Sequence, residues 1–161
     1  LIDEDIKLGV VAVLLTLSGL TVFRVAFADR IVEPFSELGI LGPGMKIGDY
    51  PKVLEVGQDL HLNLYIGNQE GEVMYYRVMA KLGTREMNVS DENPFDGHVI
   101  ASYEMVLMNG FNVTMPVILK LNETGTNLRL VFEMHRYDPK LGAWTYHYRW
   151  NQLWLNVTNT N

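Results

Sequence analysis

The feature that most limits this chain is an unbroken apolar run. Leu8 to Ala28 reads LGVVAVLLTLSGLTVFRVAFA, with Arg24 as its one charge and no proline. Wound into an α-helix at about 1.5 Å per residue, it reaches roughly 30 Å, the hydrocarbon thickness of a bilayer. A surface helix of a soluble domain keeps a polar stripe; this one has none, so lipid or other apolar helices must surround it. The predicted helical segment covers residues 1–32 and stops near Val32, because the residue before Pro34 is pushed out of the α region. A secretory signal peptide has a shorter apolar core behind a basic start, whereas this run follows Asp3, Glu4 and Asp5. Beginning on Leu1 rather than methionine, the chain reads as one trimmed at its N-terminus. Arg24 is placed to snorkel to headgroups, and Gly9, Ala12, Ser18, Gly19, Ala26 and Ala28 would let copies of the helix pack closely.

After a predicted linker at residues 33–50, the pattern changes to alternation with a period of two, the mark of half-buried strands. Leu60, Leu62, Leu64 and Ile66 share one face, and so do Met74, Tyr76, Val78, Ala80 and Leu82. Tyr103, Met105 and Leu107 form a third set, and the odd positions from Phe111 to Leu121 a fourth. Leu128, Leu130, Phe132 and Met134 make a further face, with Arg129, Glu133 and His135 expected outward. Trp144, Tyr146, Tyr148 and Trp150 open the last strand, whose phase then shifts to Leu153, Leu155 and Val157, predicting a bulge near Asn151 and Gln152. Pro116 marks its strand as an edge or a bulged one. Turn signals at Gly67–Gly71, Met108–Gly110, Asn122–Gly125 and Asp138–Gly142 predict antiparallel neighbours. Seven or eight such strands over residues 51–158 predict a mainly β body, an antiparallel immunoglobulin-like sandwich, because one open sheet would leave an apolar face wet.

Thirteen Lys and Arg against 19 Asp and Glu leave a net charge of −6, which removes the electrostatic footprint that nucleic acid binding needs. There is no cysteine, so disulfides, thiolate metal sites and a cysteine nucleophile are excluded. Four N-x-S/T sequons begin at Asn88, Asn112, Asn122 and Asn156, each at a turn or an outward strand position, and are read as glycosylation sites outside the cell. Lys7 before the helix and the sequons after it give an N-in, C-out orientation.

The phosphate-loop, dinucleotide, zinc-protease and hydrolase motifs are all missing, and no nucleophile is nominated. His61, His98, His135 and His147 lack ligand spacing, so no metal or other cofactor is expected. The loop Asp91–Gly97 lacks the spaced ligands of a calcium loop and reads as a solvated acidic turn. Trp144, Tyr146, Tyr148, Trp150 and Trp154 are assigned to core or intersheet packing rather than to a carbohydrate or partner platform.

The stretch Glu33-Pro34-Phe35-Ser36-Glu37-Leu38-Gly39-Ile40-Leu41-Gly42-Pro43, then Asp49-Tyr50-Pro51, Gly57-Gln58-Asp59, and Ile66-Gly67-Asn68-Gln69-Glu70-Gly71 with Tyr75-Tyr76, resembles the archaeal domain of unknown function 1616. Thr124-Gly125, Asn127 to Phe132, and Arg149-Trp150 through Leu153 to Val157 are also similar. The resemblance covers roughly residues 33–158 and implies no activity; members of that family usually follow several membrane helices, and this chain has one. One apolar helix ahead of a sequon-bearing sandwich also resembles the layout of archaeal pilins and archaellins, which pack processed helices into a filament core.

These features together predict a structural subunit of an archaeal extracellular surface filament, not an enzyme. Its partners would be copies of itself, the membrane before assembly, and N-linked glycans. Assembly would rest on Leu14, Leu17, Leu20 and Arg24, with Asp3, Glu4 and Asp5 placed to pair with a neighbour's N-terminal amine. The alternative is a single-span, membrane-anchored extracellular sandwich that binds a partner or a glycan.

Overall fold

A computed structural model describes residues 3–26 and 33–159. The predicted helix end near Val32, together with Leu1, Ala28 and Arg30, lies outside the described residues. The chain divides into two units at Glu33 and Pro34. In the first, α1 spans Glu4–Ala26. Asp3 caps it by accepting the Ile6 and Lys7 amides, each at 3.1 Å, on its backbone carbonyl. Glu4 pairs with Lys7 one turn on, at 2.7 Å. Leu14, Leu17 and Leu20 are all more than half exposed, and none of the apolar stretch from Glu4 to Val25 is buried. The hydroxyls of Thr16 and Thr21 fold back onto the carbonyls of Ala12 and Leu17, both at 2.8 Å, so neither needs an outside partner.

The second unit is a two-sheet β-sandwich of eight strands: β1 Phe35–Leu41, β2 Val53–Glu55, β3 Asp59–Gln69, β4 Met74–Gly83, β5 His98–Leu107, β6 Asn112–Lys120, β7 Gly125–Asp138 and β8 Ala143–Thr158. One sheet has the order β1-β3-β6 and the other β2-β8-β7-β4-β5. All pairs are antiparallel except the short β2, which runs parallel to β8. The alternating residues of β3, β4, β6 and β7 meet between the sheets as expected, with Leu60, Leu64, Ile66, Tyr76, Val78, Leu130, Phe132 and Met134 fully buried. Pro116 lies in β6, an edge strand, where its missing amide costs no ladder bond.

Four expectations need correction. The segment read as a linker contains β1, which pairs with β3 from Phe35↔Gln69 to Leu41↔Asn63; its alternation is hidden because it closes one side of the core instead of crossing its middle. Of the four turn signals, only Asp138–Gly142 closes a hairpin. The other three carry the chain from one sheet to the other, since β3 and β4, β5 and β6, and β6 and β7 are split between sheets. The β8 irregularity lies earlier than predicted. Glu133 pairs with Trp150 and His135 with Tyr146, so two steps on β7 face four on β8, and Tyr148 sits there at φ 55°. An even insertion preserves parity, so Trp144, Tyr146, Trp150 and Trp154 all lie on the outer face of the sheet, opposite the leucines of its inner face. They are not intersheet residues.

Removal of core volume should therefore be costly and removal of outer volume cheap. Leu64→Ala is expected to lower unfolding free energy by about 3 kcal/mol in urea titrations. Ile118→Ala, on the exposed side of β6, should change it by less than about 0.5 kcal/mol.

Candidate functional site

Two buried polar groups organise the body. The first gathers where β1 meets β8. Ser36 Oγ lies 2.6 Å from Glu70 Oε1, 2.7 Å from the Tyr76 hydroxyl and 2.8 Å from His147 Nε2. His147 Nε2 is also 3.0 Å from Glu70 Oε1. Serine has one proton to give and the carboxylate can only accept, so Ser36 donates to Glu70 and accepts from Tyr76 and His147. Burial pulls the His147 pKa below its ordinary value of 6.5, with Arg136 and Arg149 adding to the effect and the Glu70 carboxylate opposing it. Burial also pushes the Glu70 carboxyl upward, but the bonds from Ser36 and His147 outweigh it and hold the group below 4.5. Tyr76 is pushed up to about 12, chiefly by burial.

Ser, His and a carboxylate in contact invite comparison with a hydrolytic triad, and the geometry argues against one. A triad needs the acid on Nδ1 and the serine proton directed to Nε2. Here both partners crowd Nε2, Nδ1 is buried without a partner, and Ser36 is 3% exposed. The arrangement is a clasp. Arg149 Nε donates to the Ser36 carbonyl at 3.1 Å, and Asn151 Nδ2 to that of Leu38 at 2.9 Å, so β8 covers the backbone edge of β1. Beside the clasp, the buried Asn68 ties two turns together, donating from Nδ2 to the carbonyls of Glu72 and Leu107, both at 2.8 Å.

The second group lies on the outer face of the five-stranded sheet. Arg129, Glu133 and His135, predicted outward, do face outward but are at most 9% exposed. The loop between β4 and β5, residues 84–97, folds over them. Glu133 accepts from the Phe95 amide at 2.8 Å and from His135 at 2.9 Å, and pairs with Lys81 at 2.5 Å. Lys81 in turn donates to the Phe95 carbonyl at 2.8 Å, so both backbone groups of Phe95 are held. The Phe95 ring is 1% exposed, and a Cβ at Gly83 or Gly97 would run into it. Tyr146 and Trp150 donate to the Ser90 carbonyl at 2.8 Å and to Asp91 Oδ1 at 3.2 Å. The segment read as a solvated acidic turn is a strap fastened at several points.

The four sequon asparagines are spread over the body. Asn88 lies in the strap, Asn112 at the start of β6 and Asn122 in the β6–β7 turn, all exposed. Asn156 is half-buried in β8, where its Oδ1 accepts from the Asn127 amide at 2.8 Å. Asp3, Glu4, Asp5, Leu14, Leu17, Leu20 and Arg24 all lie exposed along or beside α1. Among the described residues no group of three His, Asp or Glu is arranged to hold a metal. The clasp was missed because its members are scattered from 36 to 147. The strap left a clue: one phenylalanine in an acidic loop, between two glycines, needs somewhere dry to go.

The chain belongs to the family described as a domain of unknown function (DUF1616), whose model matches residues 30–156. No curated protein matches it. Among solved structures it is similar to the CARDB domain of a Pyrococcus furiosus protein in complex with di-metal ions, with a TM-score of 0.51 and 10% identity over 82% of this chain and 100% of that one. It is also similar to a β-glucosidase from Listeria innocua in complex with glucose, with a TM-score of 0.50 and 16% identity over 77% of this chain. The match spans 16% of the β-glucosidase chain. At these identities the likeness is one of fold. Among the many residues that carry the family resemblance, Ser36, Asn68, Glu70, Tyr76 and Arg149 lie at the clasp and its neighbouring turns.

Two measurements probe these groups. Below about pH 6.5 the unfolded chain binds a proton at His147 that the folded chain resists, so stability should fall between pH 7 and 5. The Glu70 contribution is present above pH 4.5 and is lost as pH drops through its lower folded value. Thermal melts should show the first loss reduced in His147→Gln. For the strap, Glu133→Gln leaves Lys81 without its buried partner and should cost about 3 kcal/mol in urea unfolding, with faster proteolysis within residues 84–97.

Proposed function

We propose that this chain is a membrane-anchored, N-glycosylated β-sandwich module displayed outside the cell, which binds a partner and catalyses no reaction. The observation that carries this reading is α1: 23 residues, about 34 Å long, unburied and apolar on every side between Leu8 and Phe23, with both threonine hydroxyls satisfied within the helix. A bilayer is the solvent such a surface fits. Exposed sequons at Asn88, Asn112 and Asn122 support an outside location for the body, and its fold is one that occurs as a module within larger proteins. The clasp supports a non-catalytic reading, because the buried Ser36 hydroxyl donates to Glu70 instead of to His147 Nε2.

A homopolymeric filament is the second reading. Gly9 and Gly19 carry no side chain, so a second helix could approach the backbone of α1 at these positions.

Expression of the full chain in a cell that N-glycosylates exported proteins tests the first reading. The protein should sediment with membranes, resist alkaline carbonate and need detergent for release. Protease added to intact cells should digest the body, and glycan removal should lower its apparent mass. Recovery in the soluble fraction without detergent, or protection of the body from external protease, would contradict it.

A further inference from the structure

The outer face of β8 carries a groove that the strap does not cover. It holds about 450 Å³ and is lined by Tyr50, Lys52, Asn127, Gln152, Trp154 and Asn156, above the inward Leu153 and Leu155. Trp154 is 41% exposed, far more than a ring of its size needs to be on a face that otherwise buries Val131 and Glu133 completely. The Arg129 guanidinium lies 5.3 Å from its centroid and holds the indole in place. Around this aromatic surface stand three carboxamides, from Asn127, Gln152 and Asn156. An aromatic plate bordered by planar amides matches a pyranose, which offers an apolar C–H face and a rim of hydroxyls.

Asn156 is both a wall of this groove and the head of a sequon, Asn156-Val157-Thr158. Trp154 and Asn156 are two residues apart on one strand, so their side chains stand on the same face about 7 Å apart. The Asn156 Oδ1 is fixed by the Asn127 amide, which leaves Nδ2 as the end directed to a new bond. We propose that the Trp154 groove is a saccharide subsite whose occupant is the glycan on Asn156, with the first sugar lying on the indole. This rests on the reading of the body as exported and glycosylated. Attachment forms a bond from the amide nitrogen to C1 of an activated glycosyl donor, breaks the donor's C1–O bond to its phosphate leaving group, and releases one amide proton. The cell supplies the donor and the transferase. The consequence for the protein is that one glycan is part of its folded surface, while those at Asn88, Asn112 and Asn122 are solvated.

The test uses the full chain with Asn88→Gln, Asn112→Gln and Asn122→Gln, made in a host whose first N-linked sugar is N-acetylglucosamine, so that any glycan is on Asn156. Mass spectrometry should find Asn156 occupied. Trimming to the first sugar should leave acrylamide quenching of tryptophan unchanged. Complete removal by an amidase should raise quenching about twofold and lower Tm by about 3 °C. Both changes should vanish in Trp154→Ala, and Asn156→Asp made without glycan controls for the charge the amidase creates. An occupied Asn156 whose removal alters neither signal would overturn the inference and leave the proposed function standing. An unoccupied Asn156 in membrane-bound protein, with quenching by free N,N′-diacetylchitobiose, would also overturn it, since the groove would then serve sugars of other molecules. A chain soluble without detergent would instead count against the proposed function.

Discussion

The body folds because eight strands share one apolar layer that must leave water, whereas α1 spreads its apolar residues around the whole helix. Leu60, Leu64, Ile66, Val78, Leu130 and Phe132 close against one another between the sheets. Each such side chain contributes about 1.5–3 kcal/mol when fully buried, which makes the sandwich self-sufficient without a disulfide. The helix spends the same kind of residues on every side of a single cylinder. Its apolar surface has to be covered by something other than water, and that requirement governs where the molecule can reside.

Polar interactions then decide which sandwich is formed. A core of Leu, Val and Ile tolerates alternatives, whereas the hydrogen bonds among Ser36, Glu70, Tyr76 and His147 form in one arrangement. It fixes the register at which β1 meets β8. Glu133 does the same for the strap by holding the Phe95 amide and, through Lys81, its carbonyl. Buried ion pairs of this kind contribute little net stability compared with apolar packing, and their value here is placement. Ser36, Glu70 and Tyr76 of the clasp lie within stretches that carry the family resemblance.

Much of this architecture is visible in the amino-acid sequence, for a physical reason. Strands with one face in the core and one toward solvent alternate plainly, as β3 and β4 do, and a spanning helix announces itself by length. What is hidden depends on contacts distant along the chain. Little local to Phe35–Leu41 reveals a strand, because Ser36 occupies one of the three inward positions, 36, 38 and 40, where an apolar residue would mark one. Glu133 and His135 look solvated because their cover comes from a loop some 40 residues earlier. The aromatic face of β8 was assigned to the core on size alone, although parity places it outside. The Ser36 clasp joins four separated segments and has no local signature.

In the proposed membrane-anchored form, α1 meets lipid on all sides as a single span. Because the chain has no cysteine, one spin label can be attached at a time through Leu14→Cys, Leu15→Cys or Leu20→Cys, positions spread around the helix at about 100° per residue. Oxygen accessibility of the label in native membranes reads the surroundings directly. This account predicts high and similar accessibility at all three sites. Low accessibility and an immobilised label at all three would show protein on every side, and would contradict it.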